Sequence, residues 1–290
     1  MDMYKEILNF LLHLRLHYQL LILSGGYLLG GFLAGEMNTG QYWLQFLNVH
    51  VLLFGGATAY NSWWDKDTGP IGGLRHPPKM TRWMHSVSLI FMFTGLALAL
   101  NVGVLYSVVF LVSLILFWLY STPHFRWKSD PHLSLLAIAV STGFNSVLMG
   151  TIAAGGAITG KIVLGAAGAS LILLSLYPVS QIFQIDEDKV RKDQTFALTY
   201  GVNGVKKFYL ISFTVGSILL CMSLFIQSYL AGVLILTGTA VFGTVIAYFI
   251  MGLAGTADEY AVVMKTKFFA SLSFVCFFLA GNIIKHGWFN

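Results

Sequence analysis

Long apolar runs separated by short polar knots organise this chain. A helix needs about 20 mainly apolar residues to cross a hydrocarbon core. Nine such runs can be drawn, over roughly 18–36, 41–61, 84–102, 103–121, 133–155, 160–183, 207–227, 229–252 and 267–284. Two pairs of runs are almost continuous, and Asn101-Val102-Gly103 and Ala231-Gly232 supply the breaks between their members. Ahead of the first run, Lys5, Glu6, His13, Arg15 and His17 alternate with Leu and Phe, which predicts a short surface helix entering the first span. The pattern as a whole predicts an all-α, polytopic membrane domain of nine helices over residues 1–290.

Composition narrows the function classes. Apolar residues make up 57% of the chain and charged residues 10%, against about 25% charge in soluble domains. Mean hydropathy is +0.74. These values exclude an ordinary soluble enzyme and a disordered chain. Cys221 and Cys276 both fall inside apolar runs, which argues against a disulfide framework or a cysteine metal site.

Charge adds an orientation. Of the 17 Lys and Arg residues, all but Lys161 and Lys285 fall at one end of the nine-span arrangement. That end comprises the N-terminus and loops 61–83, 122–132, 184–206 and 253–266. The positive-inside rule assigns it to the cytoplasm and the C-terminus to the outside. The net charge of +5 is therefore a topology signal, and with no soluble basic face the partner is the lipid bilayer, not nucleic acid. Of the 12 acids, only Glu36 lies on the opposite side. A transporter would more often carry ionisable groups at mid-depth; here the polar chemistry gathers at one membrane face.

Three segments carry that chemistry. The first, Asn61-Ser62-Trp63-Trp64-Asp65-Lys66-Asp67, closes the second run, and Asn61 and Asp65 share a helix face four residues apart. His50 lies eleven residues before Asn61, on nearly the same face. The second closes the sixth run, where Gln184 and Asp188 repeat the spacing beside Asp186 and Glu187, with Lys189, Arg191 and Lys192 following. Oxygens paired at a helix end suit Mg²⁺, which is usually held by one or two carboxylates plus substrate phosphates. Ion pairing within the second segment is the alternative. The third segment, Tyr120-Ser121-Thr122-Pro123-His124-Phe125-Arg126-Trp127-Lys128, brings a guanidinium and an ammonium suited to phosphate oxygens. Acids that hold Mg²⁺, bases that hold a diphosphate and an apolar trough below them are what ionising an allylic diphosphate requires.

Taken in order, these segments resemble the UbiA superfamily of intramembrane prenyltransferases. That family has nine spans, an N-D-x-x-D-x-x-x-D motif after the second, a D-x-x-x-D motif after the sixth and often Y-S-x-x-P-x-R-x-K after the fourth. Here the last element reads Tyr120-Ser121, Pro123, Arg126 and Lys128, and the tail of the second motif reads Thr195-Phe196-Ala197 with Gly201. The resemblance covers essentially the whole chain. It departs at Ser62 and Gly69 in the first motif and at Gln184 in the second, positions where the family carries Asp. Asp67 can substitute only if the helix ends early, since on an unbroken helix it points about 240° from Asn61.

The resemblance implies an Mg²⁺-dependent transfer of a prenyl group from a prenyl diphosphate to an acceptor. It implies that Asn61, Asp65 and Asp67 serve one metal and Gln184, Asp186 and Asp188 the other. Arg126 and Lys128 would grip the diphosphate, and Arg75 and Arg82 would cover it from a glycine-hinged lid. His50, Tyr120, Asn145 and Tyr177 are expected as polar points in the trough, and Asp258, Glu259 and Tyr260 as contacts of the acceptor. Two other readings stay open: a terpene cyclase of the same fold, which needs no acceptor, and a non-catalytic protein that binds or transports prenyl lipids.

Overall fold

The computed structural model of the chain describes residues 3–66 and 69–287. Helix α1 (Met3–Leu14) buries Phe10, His13 and Leu14 and exposes Ile7, Leu8 and Leu11, the two-faced build of a helix lying in an interface. Arg15, at φ 50° in the left-handed region, turns the chain into the first span. The stretch Met3–Leu23 meets α2 (Gly25–Leu33) at 44°. Then follow α3 (residues 39–65), α4 (Arg82–Ala99), α5 (Val104–Ser121), α6 (Pro131–Ala153), α7 (Gly160–Arg191), α8 (Phe196–Gln227), α9 (Tyr229–Met251) and α10 (Ala257–His286). The only β pairing among the described residues is the isolated bridge between Ile71 and Leu74.

Seven of these helices are long and apolar enough to cross a membrane, and the bent pair ending in α2 makes eight. This is a multi-pass membrane protein, although the count differs from the nine expected. The difference is α3, where Gln41, Gln45, Asn48 and His50 dilute the apolar run. Three of those groups are spent on helix-to-helix hydrogen bonds: Gln41 Nε2 donates to the Ala153 carbonyl at 3.2 Å, Asn48 Nδ2 to the Gly95 carbonyl at 2.9 Å and Gln45 Nε2 to the Leu98 carbonyl at 3.2 Å. Two boundaries also move. The polar stretch expected over 184–206 already contains the first turns of α8, capped by Thr195 and broken at Gly201. The last helix is regular from Tyr260, so Lys267 lies about two turns inside it instead of at its start.

The helices close on themselves. α10 returns to pack on α2, α2 packs on α6, and α7 runs along α8. The α2–α6 crossing is so close that only glycine fits at two of its positions. A Cβ on Gly30 would fall 2.2 Å from the Val147 carbonyl oxygen, and one on Gly150 would fall 2.0 Å from that of Tyr27. Small residues at such crossings let backbones approach within a bilayer. Three wide, π-type turns, Gln19–Leu23, Asn48–Gly55 and Ala139–Phe144, lie at the same inner wall. Such turns recur at functional sites, and here each contributes residues to a central cavity. At the far end, Lys285 Nζ donates to the Phe32 and Ala34 carbonyls, capping the end of α2.

Candidate active site

The cavity has a volume of about 420 Å³, within the usual range for small-molecule sites. Its body is apolar and aromatic, with Phe54, Phe117, Phe213, Phe242, Phe274 and Phe277 on the walls. Among the described residues, the charge on its walls belongs to Arg15, Asp65, Lys128, Asp188, Arg191, Asp193 and Lys267.

Local structure explains how those side chains reach it. Asn61 and Asp65 sit one turn apart on the last turns of α3, which stops at Lys66 in a left-handed conformation. Asn61 Nδ2 donates to Ser121 Oγ at 3.2 Å, and the Tyr60 and Thr122 hydroxyls bond at 2.9 Å, so the end of α3 is pinned to the end of α5. Between α5 and α6 the chain turns at Arg126, φ 41°, and Asp130 caps α6 by accepting from the His132 and Leu133 amides, each at 2.8 Å. This projects Lys128 into an ion pair with Asp65. Burial pushes the Lys128 ammonium down to about 7, Asp193 opposing and Arg191 adding to the effect; the Asp65 carboxylate against it favours the charged form. The end of α7 tightens into 3₁₀ turns over Pro178–Gln184 and resumes as Ile185–Arg191. Asp188, 7% exposed, faces the cavity and accepts from Thr195 Oγ1 at 2.9 Å. Lys192, φ 61°, ends the helix, and the Asp193 amide returns to the Asp188 carbonyl at 3.0 Å.

Of the residues expected at the site, Asn61, Asp65, Tyr120, Lys128, Tyr177, Gln184 and Asp188 line the cavity. The Tyr120 and Tyr177 hydroxyls bond at 2.9 Å. Several others do not come together there. Asp186 turns outward, its side chain 91% exposed and paired with Lys189; two residues from Asp188 on a helix, it points to nearly the opposite side. Arg126 stands behind the wall and donates from Nε and Nη2 to the two oxygens of Asp193, each at 2.9 Å. Arg75 and Arg82 are exposed and off the cavity. His50 is buried among Tyr27, Phe46 and Phe54, with Nδ1 donating to the Phe46 carbonyl at 2.7 Å. Asn145 bonds Ser113 Oγ at 2.9 Å as a link between α5 and α6. Asp67 lies outside the described residues. Glu259 caps its own loop by accepting from the Ala254, Gly255 and Thr256 amides.

The loop expected to be a lid is strapped down over the polar end. Four consecutive carbonyls each accept from a different side chain: Pro70 from Gln184 Nε2 at 3.2 Å, Ile71 from the Tyr260 hydroxyl at 3.3 Å, Gly72 from Arg15 Nη1 at 3.0 Å and Gly73 from His17 Nε2 at 3.0 Å. Arg15 Nη2 also donates to Ser62 Oγ at 2.9 Å. Sequence reasoning misses Arg15, Arg191, Asp193 and Lys267 as wall residues. For Lys267 a signal is present, since a lysine beside a long apolar run is costly at membrane depth. For the other three it is absent, because basic and acidic residues in a polar loop or surface helix look alike.

The sequence profile of the UbiA prenyltransferase family matches residues 23–273. No curated protein matches the chain by sequence. Among solved structures, a UbiA homologue from Archaeoglobus fulgidus bound to GPP and Mg²⁺ is similar at 16% identity with a TM-score of 0.75, over 94% of this chain and 99% of that one. An apo UbiA homologue from Aeropyrum pernix K1 is similar at 19% identity and TM-score 0.70, over 93% and 98%. A structure concerned with digeranylgeranylglyceryl phosphate synthase in membranes is similar at 18% identity and TM-score 0.67, over 97% and 99%. At these identities the structural likeness is one of fold.

Proposed function

We propose, from the premise that this chain belongs to the UbiA prenyltransferase family, that it ionises a prenyl diphosphate with Mg²⁺ and transfers the prenyl group to an acceptor. The observation that carries this is a single cavity with carboxylates and cations at its polar end and an aromatic, apolar body. The binding of GPP and Mg²⁺ by the Archaeoglobus homologue supports the same pair of ligands here.

The residues fit Mg²⁺ in one way. Among the described residues no three His, Cys, Asp or Glu side chains gather to hold a metal ion alone. Asp65 and Asp188 do line the cavity, and Mg²⁺ is commonly held by one or two carboxylates together with substrate phosphates. Asp65 and Asp188, with Asn61, would hold an ion shared with the substrate. When bound, that ion neutralises charge building on the diphosphate. Lys128 and Arg191 supply charge-assisted donors to the phosphate oxygens. The strapped loop and the aromatic walls keep water from the allylic centre. The C1–O bond breaks with its electron pair leaving on the diphosphate, a nucleophilic carbon or oxygen of the acceptor bonds to C1, and the acceptor gives up a proton. The basic loops assign this polar end to the cytoplasmic side.

The deciding experiment is diphosphate release from geranylgeranyl diphosphate by purified protein, with Mg²⁺ or with EDTA, alone and with a panel of lipid and aromatic acceptors. Mg²⁺-dependent release is expected; no release under any condition sinks the catalytic reading in favour of a binding or transport protein. One observation favours a second reading. Ser62 and Gln184, at two of the family's Asp positions, are engaged by Arg15 and by the Pro70 carbonyl, so the metal-binding set is reduced. A single cyclic hydrocarbon formed without an acceptor would identify a terpene cyclase.

A further inference from the structure

Helices α8 and α9 touch at two ring-on-glycine contacts. Phe213 lies against Gly243 and Phe225 against Gly232, and in each case a Cβ on the glycine would overlap the ring. The two rings stand about 18 Å apart along α8. Between them the helices part and leave a groove of about 380 Å³. Ile218, Cys221 and Met222 of α8 and Leu236, Thr239 and Ala240 of α9 line it. Ile218, Met222, Leu236 and Ala240 are exposed, so the groove lies on the outer, bilayer side of these two helices.

Phe213 and Thr239 line both this groove and the central cavity. The wall between the two spaces is therefore one side chain thick at these residues. Thr239 Oγ1 donates to the Ile235 carbonyl at 2.8 Å, so its polarity is spent within α9. Phe213 is the larger part of the partition. Its ring stacks on that of Tyr209, with centroids 5.5 Å apart and planes at 24°. Tyr209 is buried and tied to α9, its hydroxyl donating to the Gly243 carbonyl at 3.4 Å. Phe213 is half-buried and carries no such tie. A change of rotamer would lift its ring from Gly243, join the two spaces and cost one aromatic contact.

The occupant of the groove follows from its continuity with the trough. Among the described residues no charged side chain lines it, unlike the polar end of the cavity at Asp65, Lys128 and Asp188. Its open side faces lipid tails, which are as apolar as its lining. A hydrocarbon that passes Phe213 from the trough thus enters a space suited to it, and an ionic group does not.

We propose that Phe213 selects the length of the prenyl chain. Seated on Gly243, the ring confines a short tail to the trough; a longer tail displaces the ring and runs on into the groove between α8 and α9. The proposal rests on the prenyl diphosphate reading for its ligand and on Phe213 for the selection. Phe213 meets the tail alone, and no bond is made or broken there.

The test measures binding of geranyl and geranylgeranyl thiolodiphosphate, which do not ionise, to the full chain in lipid nanodiscs. Phe213→Ala should shift the ratio of their Kd values about fivefold toward the longer chain, the scale of one aromatic contact that no longer has to be broken. Ala240→Phe fills the groove from the lipid side without touching the trough. Alone it should weaken geranylgeranyl binding and leave geranyl binding unchanged; combined with Phe213→Ala it should cancel the shift. A geranylgeranyl thiolodiphosphate with a diazirine on its last isoprene unit should label α8 at Cys221 or Met222. Four results would overturn the proposal: an unchanged Kd ratio in Phe213→Ala, a shift that survives Ala240→Phe, an equal change in the Kd of inorganic diphosphate, or labelling confined to α10. The last would mean that the tail leaves past Leu234 and Phe242, which line the trough on α9 and are also exposed. Prenyl analogues that bind no more tightly than inorganic diphosphate would remove the prenyl reading and the proposal together, whereas a length preference indifferent to Phe213 removes the proposal alone.

Discussion

Arg126 grips Asp193 with two parallel hydrogen bonds, Nε to Oδ1 and Nη2 to Oδ2, each at 2.9 Å. The pair joins the loop after α5 to the segment after α7, and Arg126 Nη1 also stands 3.9 Å from Asp65. A forked guanidinium–carboxylate contact fixes geometry as well as charge, so Arg126 acts here as a positioning residue for Asp65, Asp193 and the neighbouring Lys128. Arg126→Ala and Asp193→Ala should each lower Tm and raise the KM for prenyl diphosphate. The double variant should be little worse than either single, with a coupling of about 2 kcal/mol. Additive losses in the cycle would show that the two side chains act separately.

Metal removal should separate the acids from the bases. EDTA should abolish diphosphate release and Mg²⁺ restore it. Asp65→Asn or Asp188→Asn should lower kcat on the order of 100-fold, the scale of losing one electrostatic stabiliser. Lys128→Ala should mainly raise the KM for prenyl diphosphate, and Lys128→Arg should recover part of it. Full kcat in both acid variants would remove them from the metal site.

The straps on the loop predict a change in product rather than in rate. Gln184→Ala combined with Tyr260→Phe removes the donors to the Pro70 and Ile71 carbonyls but leaves Asp65, Lys128 and Asp188 untouched. Water should then reach the allylic centre more often. The fraction of prenyl alcohol among the products should rise several-fold at similar total diphosphate release. An unchanged ratio would mean that the straps do not control water access.

The tightest helix crossing gives a stability test far from the site. Gly150→Ala would place a methyl 2.0 Å from the Tyr27 carbonyl oxygen, where backbone and not a flexible side chain must move. Overpacking of this kind costs about 1–3 kcal/mol, so Tm in detergent should fall clearly. Gly155→Ala makes a useful contrast: open space surrounds it, but its φ is 93°, so any loss there reports backbone strain. Equal Tm for wild type and Gly150→Ala would show that α2 and α6 can separate freely.

Several cavity-lining residues are legible from residue spacing alone. The repeated spacing of Asn61 with Asp65 and of Gln184 with Asp188 marks two helix ends whose polar faces meet the cavity. The same periodicity separates Asp186 from Asp188, since two residues along a helix turn a side chain by about 200°. His50 and Asn145 stand out as polar groups in apolar runs, but that signal does not distinguish a ligand from an interhelical link. In the structure both make hydrogen bonds to backbone or to a neighbouring hydroxyl.

By itself the sequence determined the class of protein, the placement of most spans and the gathering of acids and bases at one membrane face. These follow from local quantities: the length of an apolar run, the helical repeat and the sign of charge in each loop. Only the tertiary structure decided which charges oppose one another. Asp65 meets Lys128, Asp193 meets Arg126, and Lys267 meets the Tyr18 phenol. Those choices depend on how helix ends far apart in the chain are brought together when α10 closes on α2. A short-range pattern carries no information about that closure.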